Sequence, residues 1–189
     1  MPSMTEQATP NMIGKYPDSW YVASAPLLAD FPPLDSDLNT DVCVIGGGYT
    51  GLSTALHLRK KGYDVVLLEA ERVGWGASGR NGGHVGTGQR ADQASIEKWS
   101  GMETAKGLWQ LSLDAVALVC ALIEEHRIDC ELGCGNLHLA AKRHQGAELQ
   151  AELEYLNAVY GYDQLSYLSA PDVRELTSAQ GFHGALLDR

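Results

Sequence analysis

Three glycines at a fixed spacing constrain the fold of this chain more than any other feature of its sequence. Gly46, Gly48 and Gly51 follow an apolar, β-branched run at residues 41–45, which is typical of a strand buried on both faces. From Thr50 onward the apolar residues recur at helical spacing. The pattern predicts a strand, a tight turn and a helix, with bare backbone where the strand and the helix approach each other.

A second strand and an acidic residue complete this motif. The helical pattern ends at Gly62, and residues 65–68 form another buried run, so we expect parallel strands joined by a right-handed helical crossover. Glu69 follows eighteen residues after Gly51, near the spacing of about twenty at which a carboxylate bonds a ribose hydroxyl. The helix N-terminus offers amides to a pyrophosphate. The motif therefore predicts a dinucleotide site, and the alternative is an ordinary tight βα turn.

The next segment indicates which dinucleotide is bound. A carboxylate at Glu69 disfavours the 2′-phosphate of NADP because the two charges repel. Residues 73–83 contain five glycines in eleven positions, and such a backbone can lie along a flat ligand and donate amides to it. An NAD domain has no evident need for this loop, so FAD is the predicted cofactor. The alternatives are a flexible surface loop and, for the whole motif, an NAD-binding dehydrogenase domain.

Composition and charge limit the partners. The 24 acidic and 14 basic residues give a net charge of −10, which disfavours nucleic acid and anionic membranes. The N-terminus lacks the layout of a signal peptide, and the longest apolar run, residues 115–123, is too short to span a bilayer. We therefore expect a cytoplasmic protein with no membrane span. The four cysteines are expected to be free, Cys43 in the core, and no histidine pair has the spacing of a metal site.

The pattern along the chain suggests three parts: an N-terminal arm at residues 1–39, a nucleotide-binding segment at 40–94, and helical and strand segments at 95–189. The arm is expected to be extended and to lie on the folded body through its apolar residues, which are Trp20, Tyr21, Leu27, Leu28 and Phe31.

The last of these parts is expected to mix helices and strands. Residues 95–127 are predicted to be mostly helical, with a largely buried second half. The further predictions are a hairpin of residues 130–132 and 136–140 joined through 133–135, a helix at 146–160, a strand at 165–168, a helix start at 170–172 and a strand at 184–187. A doubly wound sheet needs more parallel strands than the two predicted here, and the chain ends in a strand-like run. We therefore expect a truncated chain.

Several of these runs resemble the N-terminal part of the D-amino-acid oxidase (DAO) family of FAD-dependent oxidoreductases, in its gamma-glutamylputrescine oxidase-like branch. The resemblance is carried by residues 41–51, Glu69-Ala70 and residues 76–83, and also by Ser19-Trp20-Tyr21 and residues 135–140. It is strong over residues 16–83 and weaker afterward. It implies an α/β fold: a Rossmann-like FAD-binding domain with the GxGxxG motif, followed by part of an α+β substrate domain. Family members are roughly twice as long as this chain.

The resemblance also implies roles for residues by position. Gly46, Gly48 and Thr50 would face the pyrophosphate, Glu69 the ribose, and Ala70 and Arg72 the adenosine side. The residues expected along the ribityl and isoalloxazine portions are Ala77, Ser78, Asn81, Gly82 and Gly83, and the cofactor-binding set is completed by Tyr49, Gly51 and Arg80.

Two residues near the glycine-rich loop have an alternative interpretation each. Arg80 could bind a substrate carboxylate or have a structural role, and His84 could lie near the flavin or face solvent. No side chain is a convincing general acid or base, so no catalytic residue is predicted.

The implied activity is that of an FAD-dependent oxidoreductase acting on an amine or amino acid. A hydride passes to the flavin, the resulting imine hydrolyses, and dioxygen or another electron acceptor reoxidises the cofactor, with peroxide released by an oxidase. The alternative is a non-catalytic nucleotide-binding fragment of such an enzyme. The sequence carries no signal for an oligomeric state.

Overall fold

The computed structural model describes residues 14–25 and 28–189, and the chain divides into two compact units, residues 1–83 and residues 84–189. The sequence pattern had suggested a boundary nearer residue 94. The elements of the first unit are α1 (Trp20–Ser24), β1 (Val42–Ile45), α2 (Tyr49–Lys60), β2 (Val65–Leu68) and a 3₁₀ turn (Ala77–Gly79). Those of the second unit are α3 (Gln93–Ser100), α4 (Met102–His126), β3 (Asn136–Leu139), α5 (Arg143–Tyr160), β4 (Leu165–Ser169), α6 (Ala170–Leu176) and β5 (Gly184–Asp188).

The first unit is a β-α-β motif. β1 and β2 are parallel, with Val42 opposite Val65 and Ile45 opposite Leu68, which confirms the predicted strand pairing. α2 connects them and packs on both strands. At its end the Arg59 guanidinium donates to the Tyr63 carbonyl and to Asp64 Oδ1, each at 3.1 Å. These bonds tie the C-terminus of the helix to the residues just before β2. The cations of its last turn also interact favourably with the negative end of the helix dipole.

The prediction that β1 is buried on both faces is wrong. Its residues alternate between half-buried and exposed, and Ile45 is 86% exposed. Cys43, expected in the core, is also exposed. The alternation has a simple cause: successive side chains of a strand point to opposite faces, and α2 covers one of them.

The N-terminal arm is less extended and less apolar in its contacts than expected. Trp20–Ser24 forms the short helix α1, because the Ser19 hydroxyl accepts from the Val22 amide and caps it. Trp20 is 79% exposed, and Tyr21, Leu28 and Phe31 are exposed as well, so these apolar side chains do not bury against the body. Leu27 lies outside the described residues. The arm does reach the body, through the polar contacts of residues 14–16.

The helices predicted at residues 95–127 are present as α3 and α4, which pack against each other. The expected burial of α4 is wrong. Its buried residues are Ala105, Trp109 and Ser112, whereas Leu111 is 60% exposed and Leu118 is also exposed. By length and composition alone, α4 is the one helix in the described part of the chain that could cross a membrane. A single helix of this kind is weak evidence for a span.

The sheet of the second unit has the order β3-β5-β4 and is antiparallel throughout. The predicted hairpin is therefore wrong: β3 pairs with β5, with Leu139 opposite Ala185, and residues 130–132 are not a strand. Glu131 has φ of 50°, outside the extended region that a strand needs. The strand predicted at 165–168 and the helix beginning at Ala170 are confirmed as β4 and α6, and the other predicted helix and strand as α5 and β5.

Two clusters of buried side chains form the core of the second unit. Trp109, Leu156 and Tyr162 make one, in which the Trp109 ring lies edge-on to Tyr162 with centroids 5.2 Å apart. Ala140, Leu149 and Leu186 make the other, between α5 and the sheet. All four cysteines lie in the described residues and are free thiols, as expected.

Candidate functional site

In the glycine turn between β1 and α2, side chains are disfavoured by backbone conformation at Gly46 and by close contacts at Gly48 and Gly51. Gly46 has φ of 102°, a conformation that favours glycine. A Cβ added to Gly51 would lie 1.9 Å from the Gly46 carbonyl oxygen, so only glycine permits this approach of helix to strand. The Gly46 amide donates to the Leu68 carbonyl at 2.7 Å and extends the pairing of the strands. α2 begins after Gly48, whose backbone provides the cap with no side chain.

Glu69 lies directly beside this turn. Its Oε2 accepts from the Gly47 amide at 2.6 Å and its Oε1 accepts from the Glu71 amide at 2.9 Å. These two amides, Glu71 first, hold the pKa of the Glu69 carboxyl below its usual value. An ionised carboxylate has about four acceptor positions. The acceptor positions that backbone amides leave open on Glu69 can take hydroxyl donors such as those of a ribose.

The glycine-rich loop returns to the start of α2. The Ser78 hydroxyl accepts from the Tyr49 amide at 3.0 Å, and a Cβ on Gly48 would lie 2.9 Å from the same oxygen. Asn81 Nδ2 donates to the Tyr49 hydroxyl at 3.2 Å and to the Ser78 carbonyl at 2.9 Å. The structure thus brings Gly48, Tyr49, Ser78 and Asn81 together at the N-terminus of the helix.

The two arginines of the predicted set are both engaged with aromatic rings. The Arg80 guanidinium lies 4.2 Å from the centroid of the Trp75 ring, and its Nε donates to the Trp75 carbonyl at 2.8 Å. The Arg72 guanidinium lies 5.4 Å from the centroid of Tyr16 in the arm. These contacts favour the structural interpretation of Arg80. Of the remaining predicted residues, Ala70 and Ala77 are exposed at the edges of the same region, as are Thr50, Gly82 and Gly83, and His84 belongs to the second unit.

Sequence reasoning missed three residues that hold this region together. Gly47 donates to Glu69 and its carbonyl accepts from the Gly74 amide at 2.9 Å, so one residue joins the glycine turn to both later segments. A Cβ on Gly79 would lie 2.2 Å from the Gly74 carbonyl oxygen. The signal for these residues was present, because Gly47, Gly74 and Gly79 all lie in glycine-rich runs.

The arrangement fits a dinucleotide such as FAD. Glycines that cannot carry a Cβ leave bare backbone at the turn, and the first turn of α2 presents amides and a positive dipole end to an anion. The Glu69 carboxylate, kept ionised by two amides, supplies acceptors for hydroxyls. Donors for phosphate and acceptors for ribose therefore lie on neighbouring residues.

The second unit contains a cavity of about 320 Å³ beside Trp109. Three of its polar residues are paired with one another: the Tyr162 hydroxyl donates to Asp188 Oδ1 at 2.5 Å, and the Thr87 hydroxyl donates to Asp188 Oδ2 at 3.1 Å. Burial, and then the bond to Asp188, raise the pKa of Tyr162 to about 12. These three groups satisfy each other, whereas Nε1 of Trp109, which also lines the cavity, is buried without a hydrogen-bond partner among the described residues.

Comparison with curated proteins gives relatives along nearly the whole chain. This chain is 42% identical to gamma-glutamylputrescine oxidoreductase of Escherichia coli (strain K12) over 174 residues. The matched stretch is 92% of this chain and 41% of the relative. The chain is 37% identical to the probable oxidoreductase OrdL of Rhizobium meliloti (strain 1021), over 90% of this chain and 40% of the relative. The chain thus spans about two fifths of the length of these relatives.

A solved structure and a family profile agree with these relatives. Glycine oxidase from Bacillus cereus ATCC 14579 superposes with a TM-score of 0.56 at 21% identity, over 79% of this chain and 38% of that chain, which shows a shared fold. The profile described as FAD dependent oxidoreductase (DAO) matches residues 41–189. Both the predicted α/β fold class and the family resemblance are confirmed. The chain belongs to the DAO family of FAD-dependent oxidoreductases.

Proposed function

We propose that this chain carries the nucleotide-binding part of an FAD-dependent oxidoreductase that acts on an amine or amino acid. The observation that carries the proposal is the position of Glu69, whose carboxylate is held at 2.6 Å from the Gly47 amide beside a turn that excludes side chains. Membership of the DAO family supports FAD as the dinucleotide. The relative from Escherichia coli, a gamma-glutamylputrescine oxidoreductase, supports an amine or amino acid as the substrate.

The proposed contacts follow the order of the chain. Gly46, Gly48 and Thr50 face the pyrophosphate, with Tyr49 and Gly51 in the same turn, and Glu69 accepts from the adenosine ribose. Ala70 and Arg72 lie on the adenosine side. The residues proposed along the flavin are Ala77, Ser78, Arg80, Asn81, Gly82 and Gly83. The backbone of the glycine turn orients the phosphates, and Ser78 keeps the loop against α2 by accepting from the Tyr49 amide.

FAD, when bound, would supply the redox chemistry, namely the capacity to take a hydride from the substrate carbon next to nitrogen and to pass the electrons to dioxygen or another acceptor. The contribution of this chain is to bind and orient the dinucleotide. None of its described side chains is proposed as a general acid or base. We further propose a cytoplasmic location, which the four free thiols support because disulfides are rare there.

Ligand-dependent unfolding tests the dinucleotide directly. A ligand present at about 100 times its Kd stabilises the folded state by about 2.7 kcal/mol. We expect FAD to raise the Tm of the purified chain, flavin absorbance to stay with the protein after unbound FAD is removed, and NAD to leave the Tm unchanged. A rise with NAD but not with FAD would support the dehydrogenase alternative. No flavin absorbance and no rise with either would overturn the proposal.

A second candidate is that the 189-residue chain binds the nucleotide without catalysing a reaction. The exposed face of β1, with Ile45 almost fully accessible, favours it, because flavin chemistry needs a covered, water-excluding site. Oxidation of a panel of amines and amino acids by the FAD-loaded chain, followed through peroxide, separates the two. Turnover above that of free FAD would exclude the non-catalytic alternative.

A further inference from the structure

We infer that residues 14–16 of the N-terminal arm form a strap that positions the nucleotide-binding carboxylate, with Arg72 as the positioning residue that anchors it. The inference rests on the proposed FAD site and assigns that site a part outside the segment matched by the family profile, which begins at residue 41.

The strap is fastened on both sides of Arg72. The Gly14 amide donates to Glu71 Oε2 at 2.7 Å, and the Gly14 carbonyl accepts from Arg72 Nε. The Tyr16 hydroxyl donates to the Val73 carbonyl at 2.8 Å. One short run of the arm thus bonds three successive residues of the segment that follows Glu69.

A second set of contacts fixes the end of this segment. Trp75 Nε1 donates to the Lys15 carbonyl at 2.8 Å, and the Trp75 ring carries the Arg80 guanidinium. The strap therefore reaches the glycine-rich loop as well as the turn. The arm donates hydrogen bonds to, and accepts them from, both backbone and side-chain atoms of residues 71–75. These bonds fix the register of the arm on that segment.

The segment held by the strap is the one that holds Glu69. The Glu71 amide donates to Glu69 Oε1 at 2.9 Å, and the Gly74 amide donates to the Gly47 carbonyl at 2.9 Å. Glu71 bonds the arm through its carboxylate and Glu69 through its amide. Releasing the strap would loosen both supports of the glycine turn and let the Glu69 carboxylate rotate away from the ribose position.

The surroundings of Arg72 distinguish it from an ordinary surface arginine. Its side chain is 28% exposed, whereas that of Arg59 at the far end of α2 is 60% exposed. Arg72 stacks on Tyr16, donates to Gly14 and pairs with Asp30, so all three partners lie in the arm. Its guanidinium is occupied by the strap and by Asp30, so Arg72 acts on the nucleotide by positioning Glu69.

The test measures the Kd of FAD and of ADP for the full 189-residue chain and its variants, at a temperature at which each is folded. ADP contains the adenosine and both phosphates of FAD but no flavin, so a strap acting through Glu69 affects both ligands by the same factor. We expect Arg72→Gln to raise both Kd values about tenfold and Tyr16→Phe, which removes one hydroxyl, to raise them about threefold. Arg59→Gln removes the ion pair of Arg59 with Asp64 at the far end of α2 and should leave both Kd values within about twofold.

A purely structural role gives a different pattern. It lowers the Tm of the ligand-free chain and leaves both Kd values unchanged, and that result would overturn the inference. If Arg72→Gln does not fold, an unchanged Kd in Tyr16→Phe overturns it equally. Absence of FAD and ADP binding by the unaltered chain would instead remove the proposed function, so the two failures are distinguishable.

Discussion

Each of the two units of this chain is stabilised internally by a different kind of interaction. In the first, the segments around Glu69 are joined by hydrogen bonds among Gly47, Glu69, Glu71 and the arm, and among the described side chains none of its helices has a buried one. In the second, aromatic and aliphatic side chains of α4, α5 and the sheet are buried together. Apolar burial stabilises without direction, whereas hydrogen bonds specify positions. The first unit therefore depends mainly on hydrogen-bond geometry, and the second mainly on apolar burial.

Truncation of the aromatic core should have the largest effect. Trp109→Ala removes a buried indole between Tyr160 and Tyr162 and is expected to lower the free energy of unfolding of the second unit by about 4 kcal/mol. Leu111→Ala, one of the exposed positions of the same helix, should change it by no more than about 0.5 kcal/mol. Urea denaturation followed by circular dichroism measures both. Equal losses would show that α4 is buried against something else.

A methyl group at the glycine turn should come next. Gly51→Ala places a Cβ against the Gly46 carbonyl and is expected to cost about 3 kcal/mol, with loss of measurable FAD binding. Gly107→Ala is the matched control, because Gly107 lies within α4 with open space around it. That change should stabilise the helix by about 0.5–1 kcal/mol. Normal FAD affinity in Gly51→Ala would contradict the described approach of helix to strand.

Neutralising Glu69 should have a smaller effect, confined to the ligand. Glu69→Gln replaces one carboxylate oxygen by an amide group that cannot accept from an N–H, and we expect FAD affinity to fall about tenfold. Because the folded pKa of Glu69 is lowered, the contribution of its carboxylate to folding stability is complete above the ordinary value of 4.5 and is lost as the pH falls through the folded pKa. Protonation of the folded, ligand-free chain also removes the acceptor proposed for the ribose, so FAD affinity should fall over the same acid range. FAD titrations from pH 7 downward should show this acid limb in the unaltered chain.

In the Glu69→Gln variant that acid limb should be absent, since glutamine does not titrate. Asp64→Asn, at the other end of β2, serves as the control and should retain both the affinity and the acid limb. An acid limb that persists in Glu69→Gln would assign it to another group.

The smallest expected effect lies in the tyrosines of the second unit. The bond to Glu97 is the main cause that raises the pKa of Tyr155 to about 12, and burial does the same for Tyr162. Both stay neutral in the folded state while unfolded tyrosines ionise near 10, so their stabilisation is present below pH 10 and lost as the pH rises through about 12. Alkaline difference spectra of tyrosinate should show these late titrations.

Two variants assign the titrations near pH 12 to individual tyrosines. Glu97→Gln should lower the apparent pKa of Tyr155 and leave that of Tyr162 in place, and Asp188→Asn should act mainly on Tyr162. Should neither variant move a titration, the hydrogen bonds of Tyr155 and Tyr162 to these carboxylates would be contradicted.

Much of the fold could be predicted because its signals are local. The glycine turn, the parallel strands around α2 and the helix α5 follow from spacing and periodicity within short windows. The hairpin at residues 130–140 failed for the opposite reason: β3 finds its partner in β5, some fifty residues later, and nothing within the window indicates that pairing. The prediction of burial failed at Cys43 and along α4 for a similar reason, since apolar composition does not say which faces of a strand or helix are covered.

Glycine spacing and residue type within a short window are enough to predict a strand, a bare turn and a helix, with a carboxylate at the end of the next strand. The contacts that hold this carboxylate could not be predicted from any short window of the sequence. Gly47, Glu71 and the arm residues Gly14 and Tyr16 are far apart along the chain, and hydrogen bonds between them exist only once the backbone has brought them within about 3 Å. The glycine turn and Glu69 can therefore be predicted from short stretches of sequence, whereas the hydrogen bonds that support Glu69 form between segments that only the folded chain brings together.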